Sequence, residues 1–271
     1  MTVRTEKSIV VPWDYTERAE YALAHAIEYS RKTGKEIILV HIIKKEDDKE
    51  KESEKLQETA IIKSTRYGIK IETVVKAGNL FEEIKNVCRE NKAEIAIMGT
   101  HGIKGLQKLT GSKALKVIAG SNTPFITVQE PPNNKEIKRI VFPVDFKLEE
   151  REKLIWADYM SRIFKCKFYI CYLESDDPIV KRKTAGNIKA AISYLESKRI
   201  NYEIQKLSDR ENQAGEIINY AEKTESGMII LMTGRNYKLQ DYVLGASEQQ
   251  IIANRAKISV MCINPRKCAD K

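Results

Sequence analysis

The sequence predicts two tandem α/β domains, each a doubly wound, five-stranded parallel sheet. Two observations support this prediction: the chain repeats itself, and each half alternates short apolar runs with segments of helical periodicity. A chain of 271 residues is long enough for two small domains. We expect the domains to span residues 1–132 and 138–271.

The repeat is visible in three pairs of segments that occur in the same order in both halves. In the first pair, an apolar strand ends in Pro and is followed by Asp and an aromatic residue. The matching segments are 9–15 with 140–146, 95–100 with 228–234, and 109–112 with 243–247. The offset stays near 131–135 residues, so we infer a duplication. Pro131 and Pro132, followed by two Asn residues, predict a short linker at the joint.

In the first half, apolar β-branched runs alternate with amphipathic segments. Thr16 is expected to cap the first helix and Gly34 to end it, Gly68 to end the second, and Asn79 to open the third. A further helix is predicted over 112–119. The predicted strands are 8–11, 36–43, 69–75, 93–98 and 124–128.

The second half repeats this order. Its predicted strands are 139–142, 167–172, 201–206, 227–232 and 258–263, and its predicted helices are 148–164, 180–198, 213–224 and 246–254. Ligands of doubly wound sheets bind outside the carboxyl ends of the strands, where the strand order switches. Asp14, Gly99 and Asp145 follow predicted strand ends and therefore mark this place.

Composition and charge narrow the possible functions. The net charge is +9, but Lys and Arg mostly alternate with Glu and Asp, as over residues 44–51. No nucleic-acid-binding motif is recognisable, so we expect only a modest attraction for anions and no nucleic-acid or membrane partner. No run approaches the roughly 18 apolar residues of a membrane span, and the first residues do not resemble a signal peptide. We therefore expect a cytoplasmic protein.

The cysteines and histidines do not predict a metal site. The five cysteines have no CxxC spacing and their number is odd, so free thiols are expected. The three histidines lie far apart. His41 ends an apolar strand and is expected to be a hydrogen-bonded core residue, whereas His101 lies in a glycine-rich loop and is the better functional candidate. No catalytic triad is recognisable.

A glycine-rich loop joins the strand near Met98 to the helix that starts at Ser112. Glycine lets the backbone approach a ligand closely, and the free N–H groups of a helix start attract phosphate. Lysines at 104, 108 and 113 add positive charge. The alternative is a tight loop and a capped helix without a ligand. The spacing excludes a P-loop.

These motifs resemble the universal stress protein family, which has a strand ending in Pro-x-Asp, then Gly-x-x-Gly, nine residues, and Gly-Ser or Gly-Thr. The resemblance covers nearly the whole chain, twice, and implies Rossmann-like domains of the adenine nucleotide alpha hydrolase type. In members that bind ATP, the Asp lies at the ligand, residues after the second strand hold the adenine, and the loop holds the phosphates. On this resemblance the nucleotide site comprises Pro12, Asp14, Ile42, Met98, Gly99, His101, Gly102, Gly111, Ser112 and Lys113.

The sequence departs from the family pattern in both halves. Only eight residues separate Gly102 from Gly111, so the first loop is one residue short. In the second half Tyr237 replaces the second glycine, and Ala246 follows the next glycine. ATP is therefore expected in the first half only, with Mg²⁺ only if ATP binds. Asp14 has an alternative role in a turn or helix cap, as does Asp145.

Three functions remain open from the sequence. The first is a stress-response protein with an ATP-type pocket in its first domain, sensing or regulatory rather than catalytic. The second is an interaction module of the same fold without nucleotide, and the third is a slow ATP hydrolase. Because single-domain members commonly dimerise, we expect the two domains to form an intramolecular pseudo-dimer by antiparallel pairing near Val128 and Ile263. A further homodimer is also compatible with the sequence.

Overall fold

A computed structural model describes residues 7–100, 117–118, 121–132, 137–147, 151–208, 212–233 and 244–265. The strands are β1 Ile9–Pro12, β2 Ile37–Ile43, β3 Ile71–Ala77, β4 Ile95–Gly99, β5 Phe125–Val128, β6 Arg139–Pro143, β7 Lys167–Leu173, β8 Tyr202–Leu207, β9 Met228–Met232 and β10 Ser259–Ile263. The helices are α1 Glu17–Thr33, α2 Lys49–Tyr67, α3 Leu80–Glu90, α4 Lys153–Phe164, α5 Pro178–Ser197, α6 Gln213–Lys223 and α7 Ala246–Ile252. Every predicted strand is present within two residues of its predicted ends.

The helix ends of the first half follow the predicted local signals. The Thr16 side chain accepts a hydrogen bond from the Ala19 amide and caps α1, and Asn79 does the same for α3 through the Phe81 amide. Gly34 and Gly68 adopt left-handed backbone angles, with φ of 70° and 66°, and end α1 and α2.

The predicted start of the first helix in the second half, near residue 148, lies outside the described residues. Within them, a 3₁₀ turn at residues 151–152 leads into α4 at Lys153, and the predicted end at residue 164 is confirmed.

All ten strands form one sheet in the order β3-β2-β1-β4-β5-β10-β9-β6-β7-β8. The pairs within each half are parallel, and β5 and β10 pair antiparallel with Thr127 opposite Val260. This is the pairing of the last strands that the sequence predicts. The strand order reverses between β1 and β4 and again between β6 and β9. We call these places the first and the second switch point.

Helices cover both faces of the sheet. The apolar side chains of α1, α2, α4 and α5 share one core with alternate strand residues, such as Ile9 and Val11. The intervening residues, such as Val10, face a second core that contains α3, α6 and α7. The central strands are therefore buried on both sides, as their unbroken apolar sequences predict.

The joint between the halves is reciprocal. The side chain of Gln129, after β5, donates to the Asn254 carbonyl at 3.1 Å, and that of Asn264, after β10, donates to the Ser121 carbonyl at 2.6 Å. The Tyr29 hydroxyl donates to the sulfur of Met160 at 3.0 Å, and these two residues stand at the repeat offset of 131. Each half therefore contributes equivalent positions to the joint, as in an isologous interface.

No helix in the described part of the chain is both long enough and apolar enough to cross a bilayer.

Candidate functional site

The first switch point is formed by the residues that follow β1 and β4. The Trp13 amide donates to the Val40 carbonyl at 2.7 Å, and the Thr100 amide donates to the Val128 carbonyl at 2.8 Å. These bonds extend the sheet ladder one residue past each strand. The structure thus holds Asp14 and Thr100 at the carboxyl edge of neighbouring strands, where the sequence predicts a ligand.

Asp14 shapes the turn between β1 and α1. One of its carboxylate oxygens, Oδ1, accepts from the Thr16 amide at 3.1 Å and from the Thr16 hydroxyl at 2.5 Å. Thr16 in turn caps α1. The alternative role of Asp14 in a turn is therefore present, and one oxygen of its carboxylate is occupied by the chain itself.

Gly99 has a packing role that the sequence did not reveal. A Cβ atom added to Gly99 would lie 2.1 Å from the carbonyl oxygen of Arg18 in α1. No side chain fits in that space, so the glycine lets α1 approach β4 closely. Met232 occupies the corresponding place in the second half, directly before Thr233.

Three buried polar atoms at the first switch point lack hydrogen-bond partners in the described part of the chain. They are the indole nitrogen of Trp13, the hydroxyl of Tyr15 and the hydroxyl of Thr100. Buried polar atoms are almost always paired in folded proteins, so three orphans in one place call for an explanation. None of these three residues is among the predicted site residues. The one signal in the sequence that points to two of them is that Trp13 and Tyr15 flank Asp14.

Tyr15 is held in an aromatic and charged environment. Its backbone is left-handed, with φ of 62°, and its ring lies 5.1 Å from the ring of His41 and 3.8 Å from the Lys55 ammonium. Burial, and secondly the nearby Glu52 carboxylate, raise the pKa of the Tyr15 hydroxyl above its usual value. The hydroxyl is therefore protonated at neutral pH and able to donate a hydrogen bond.

His41 belongs to the fold, as predicted. Its Nδ1 donates to the Trp13 carbonyl at 2.7 Å and so ties the end of β2 to the segment after β1. Its Nε2 lies 3.7 Å from a carboxylate oxygen of Glu52.

The remaining predicted site residues fall into two groups. Pro12 and Ile42 are partly buried at the same edge of the sheet, and Met98 is buried in the core that contains α3. Five predicted residues lie outside the described part of the chain: His101, Gly102, Gly111, Ser112 and Lys113.

The second switch point encloses a cavity of about 80 Å³. Its wall includes Pro143, Asp145 and Leu173, which stand 131 positions after Pro12, Asp14 and Ile42. The structure therefore brings together, in the second half, the counterparts of three residues predicted to form the site in the first.

Polar groups of the second switch point are bonded within the chain. The Thr233 hydroxyl donates to the Ile263 carbonyl at 3.1 Å and also contacts Asn264. The carboxylate of Asp145 accepts from the Lys147 amide at 2.7 Å, which places this Asp in a turn.

A buried lysine lies in the wall of this cavity. Lys153 is only 1% exposed, and its ammonium donates to the Pro143 carbonyl and lies 4.7 Å from the ring centroid of Phe142. The equivalent position in the first half is Ala22. The second switch point therefore carries a positive charge that the first lacks at this position.

The described cysteines are buried free thiols: Cys88, Cys166, Cys171 and Cys262. Burial raises the pKa of the first three to about 12 and raises that of Cys262 as well. They are protonated at neutral pH and therefore poorly reactive. Cys268 lies outside the described residues. Among the residues that the structure describes, no cluster of three or more His, Cys, Asp or Glu is arranged to hold a metal ion.

Comparison with known proteins agrees with this geometry. The model of the universal stress protein family matches residues 6–129, which include β1 to β5. The first half of the chain belongs to the universal stress protein family. Two universal stress proteins of Methanocaldococcus jannaschii are similar in sequence. One is 28% identical over 45% of this chain and 94% of its own length, and the other is 29% identical over 46% of this chain and 83% of its own.

A solved structure extends the likeness to both halves. A universal stress protein from Archaeoglobus fulgidus superposes with a TM-score of 0.76, covering 96% of this chain and 97% of its own. The sequence identity is 19%, so this match concerns the fold. It shows that the fold of this chain occurs in another protein over nearly its whole length.

Proposed function

We propose that this universal stress protein binds an adenine nucleotide at its first switch point and acts as a cytoplasmic sensor or regulator. The observation that carries the proposal is the set of three buried polar atoms, on Trp13, Tyr15 and Thr100, that have no hydrogen-bond partner among the described residues. An indole N–H can donate, and two hydroxyls can donate or accept. A ligand with ring nitrogens, ribose hydroxyls and phosphate oxygens offers matching partners.

The second switch point supports limiting the nucleotide to the first half. Its cavity of about 80 Å³ is far smaller than the roughly 300 Å³ at which small-molecule pockets begin. The hydroxyl of Thr233, the counterpart of Thr100, already has partners in the chain.

The polar groups nearest the first switch point favour nucleotide binding without rapid hydrolysis. The Asp14 carboxylate is engaged by Thr16, and the His41 imidazole is engaged by the Trp13 carbonyl. Groups committed to the fold are poor candidates for a general base, because a base must reach the proton that it removes. This favours a sensor over a slow ATP hydrolase.

The second candidate is an interaction module of the same fold without nucleotide. It is favoured by the fold roles of Asp14 and Gly99, which account for both residues without any ligand. The reciprocal contacts of Gln129 and Asn264 support a related proposal, that the two halves form an internal pseudo-dimer.

Calorimetric titration with ATP and Mg²⁺ separates these candidates. We expect about one nucleotide per chain, with binding lost in a Gly111→Val variant and kept in a Gly245→Val variant, which changes the matching glycine of the second half. Absence of heat in the wild type, with an unchanged melting temperature, would contradict the sensor and favour the interaction module. Equal loss of binding in both variants would contradict a site confined to the first half.

A further inference from the structure

A separate cavity of about 440 Å³ lies at the amino ends of the strands, whereas the first switch point lies at their carboxyl ends. Its wall contains Lys7, Glu94 and Pro124, which lie just before β1, β4 and β5. Trp156 of α4 closes the wall from the second half. The second half therefore contributes one aromatic residue to a cavity built mainly by the first, and the cavity shares no residue with the predicted nucleotide site.

Glu94 gives this cavity an unsatisfied acceptor. The residue is only 7% exposed, and one carboxylate oxygen, Oε2, lies 2.9 Å from the Lys35 ammonium. The other oxygen, Oε1, is buried and has no hydrogen-bond partner among the described residues. Leaving a buried carboxylate oxygen without a donor is costly, so this atom is suited to a ligand that carries a positively charged or N–H donor.

The lining of the cavity also carries positive charge, which we call its basic rim. It comes from Lys7, Arg89 and Lys92, whereas the carboxylate of Glu82 is paired with Lys85 at 2.8 Å. Arg89 donates to the Asn86 side chain at 2.9 Å, which positions its guanidinium on α3. Within the described part of the chain, Lys92 is exposed and has no ion-pair partner. An anionic group at the rim would meet two or three cations.

We propose that this cavity binds a small zwitterion of the α-amino acid class. The ligand ammonium would donate to the buried Glu94 carboxylate, and its carboxylate would lie against Arg89 and Lys92. The indole of Trp156 supplies an aromatic wall that favours a cation or an apolar side chain. A polyamine would be repelled by the basic rim, and a simple phosphate would leave Glu94 without a donor.

Thermal melting of the full chain with each protein amino acid is the first test. At about 100 times its dissociation constant, a bound amino acid should raise the melting temperature by roughly 5 °C or more. The N-acetyl and the carboxamide forms of the same amino acid each lack one charge and should give no shift. A screen in which no amino acid stabilises the protein overturns the proposal. Equal shifts with either blocked form overturn the zwitterionic recognition.

Variants then assign the site. Glu94→Gln and Lys92→Ala should each weaken the binding of that amino acid at least about tenfold in calorimetry. Lys165→Ala is the matched control, because Lys165 is also exposed, follows a helix and has φ of 49°, as Lys92 has. It should bind as the wild type does. If Glu94→Gln fails to fold, Lys92→Ala alone decides: unchanged affinity in that variant contradicts the site.

Discussion

The two switch points have the same backbone and different side-chain chemistry. In both, a strand ends in Pro and an Asp carboxylate binds a backbone amide two residues later, Thr16 in the first half and Lys147 in the second. The Thr100 hydroxyl is buried without a described partner, whereas the Thr233 hydroxyl is bonded to Ile263 and Asn264. The turn has the same structural role in each half. What distinguishes the first switch point as a candidate ligand site is therefore its buried polar groups that have no partner among the described residues.

The space around the switch points differs as well. At the first switch point, Gly99 lets the backbone of α1 approach β4 closely. Met232 is the matching residue at the second switch point. In the second half the buried Lys153 replaces Ala22 and contacts the end of β6. At these two positions, the described residues of the second half therefore carry larger side chains than those of the first.

The largest effect is expected from Gly99→Ala. A methyl group 2.1 Å from the Arg18 carbonyl oxygen forces α1 and β4 apart, so the free energy of unfolding should fall by about 3 kcal/mol. Urea unfolding measures this loss. Gly186→Ala is the control, since Gly186 lies in α5 and an added Cβ meets nothing within 4 Å. It should be neutral or stabilising by up to about 1 kcal/mol. Equal losses in both variants would contradict the packing role of Gly99.

The next effect tests the reciprocity of the joint. Asn264→Ala removes the donor to the Ile118 and Ser121 carbonyls and the contact with the Thr233 hydroxyl, so we expect a loss of about 2–3 kcal/mol.

Gln129→Ala is the counterpart in the first half. It removes only the donor to the carbonyls of Ile252 and Asn254, and it should cost about 1–2 kcal/mol. Urea unfolding of both variants checks the order. A larger loss for Gln129→Ala would contradict this order and show that the Gln129 contacts stabilise the joint more than the Asn264 contacts do.

A smaller difference is expected between Thr100→Val and Thr233→Val without ligand. Replacing an unpaired hydroxyl with a methyl group of similar shape removes no hydrogen bond, so Thr100→Val should change stability by less than about 0.5 kcal/mol. Thr233→Val breaks formed hydrogen bonds and should cost about 1–2 kcal/mol. Chemical denaturation of the two variants compares the switch points directly, and equal losses would mean that the Thr100 hydroxyl has a partner after all.

The smallest effect is a pH dependence at the joint. Burial lowers the pKa of His25 below its ordinary value of 6.5, although the hydrogen bond to the Glu130 carbonyl opposes the shift. The unfolded chain therefore binds a proton more readily, and stability contributed by neutral His25 is lost as the pH falls through 6.5 towards the lower folded value. Urea midpoints between neutral and mildly acidic pH should decline less in His25→Gln. An identical decline would contradict this contribution.

Local signals predicted most of the fold. Proline and glycine punctuation, capping side chains and β-branched runs placed every strand within two residues, because each of these signals acts within a few residues of chain. The pairing of β5 with β10 followed from the family resemblance rather than from any local signal.

The candidate site was less predictable, because its chemistry depends on contacts between distant segments. Asp14 was identified from its motif, but the unpaired state of Trp13 and Thr100 depends on what the folded chain places beside them. The packing role of Gly99 depends on α1, and the Glu94 oxygen that has no partner among the described residues lies in a cavity whose wall includes Trp156 of the second half. No spacing rule in one segment encodes such contacts.

We propose that the first switch point, unlike the second, is prepared for a nucleotide. Calorimetric titration of ATP and Mg²⁺ into Thr100→Val and Thr233→Val tests it most directly. Thr100→Val should bind at least about tenfold more weakly than the wild type, because one partner of the ligand is gone, while Thr233→Val should keep wild-type affinity. Unchanged affinity in Thr100→Val, or a loss confined to Thr233→Val, would contradict the account.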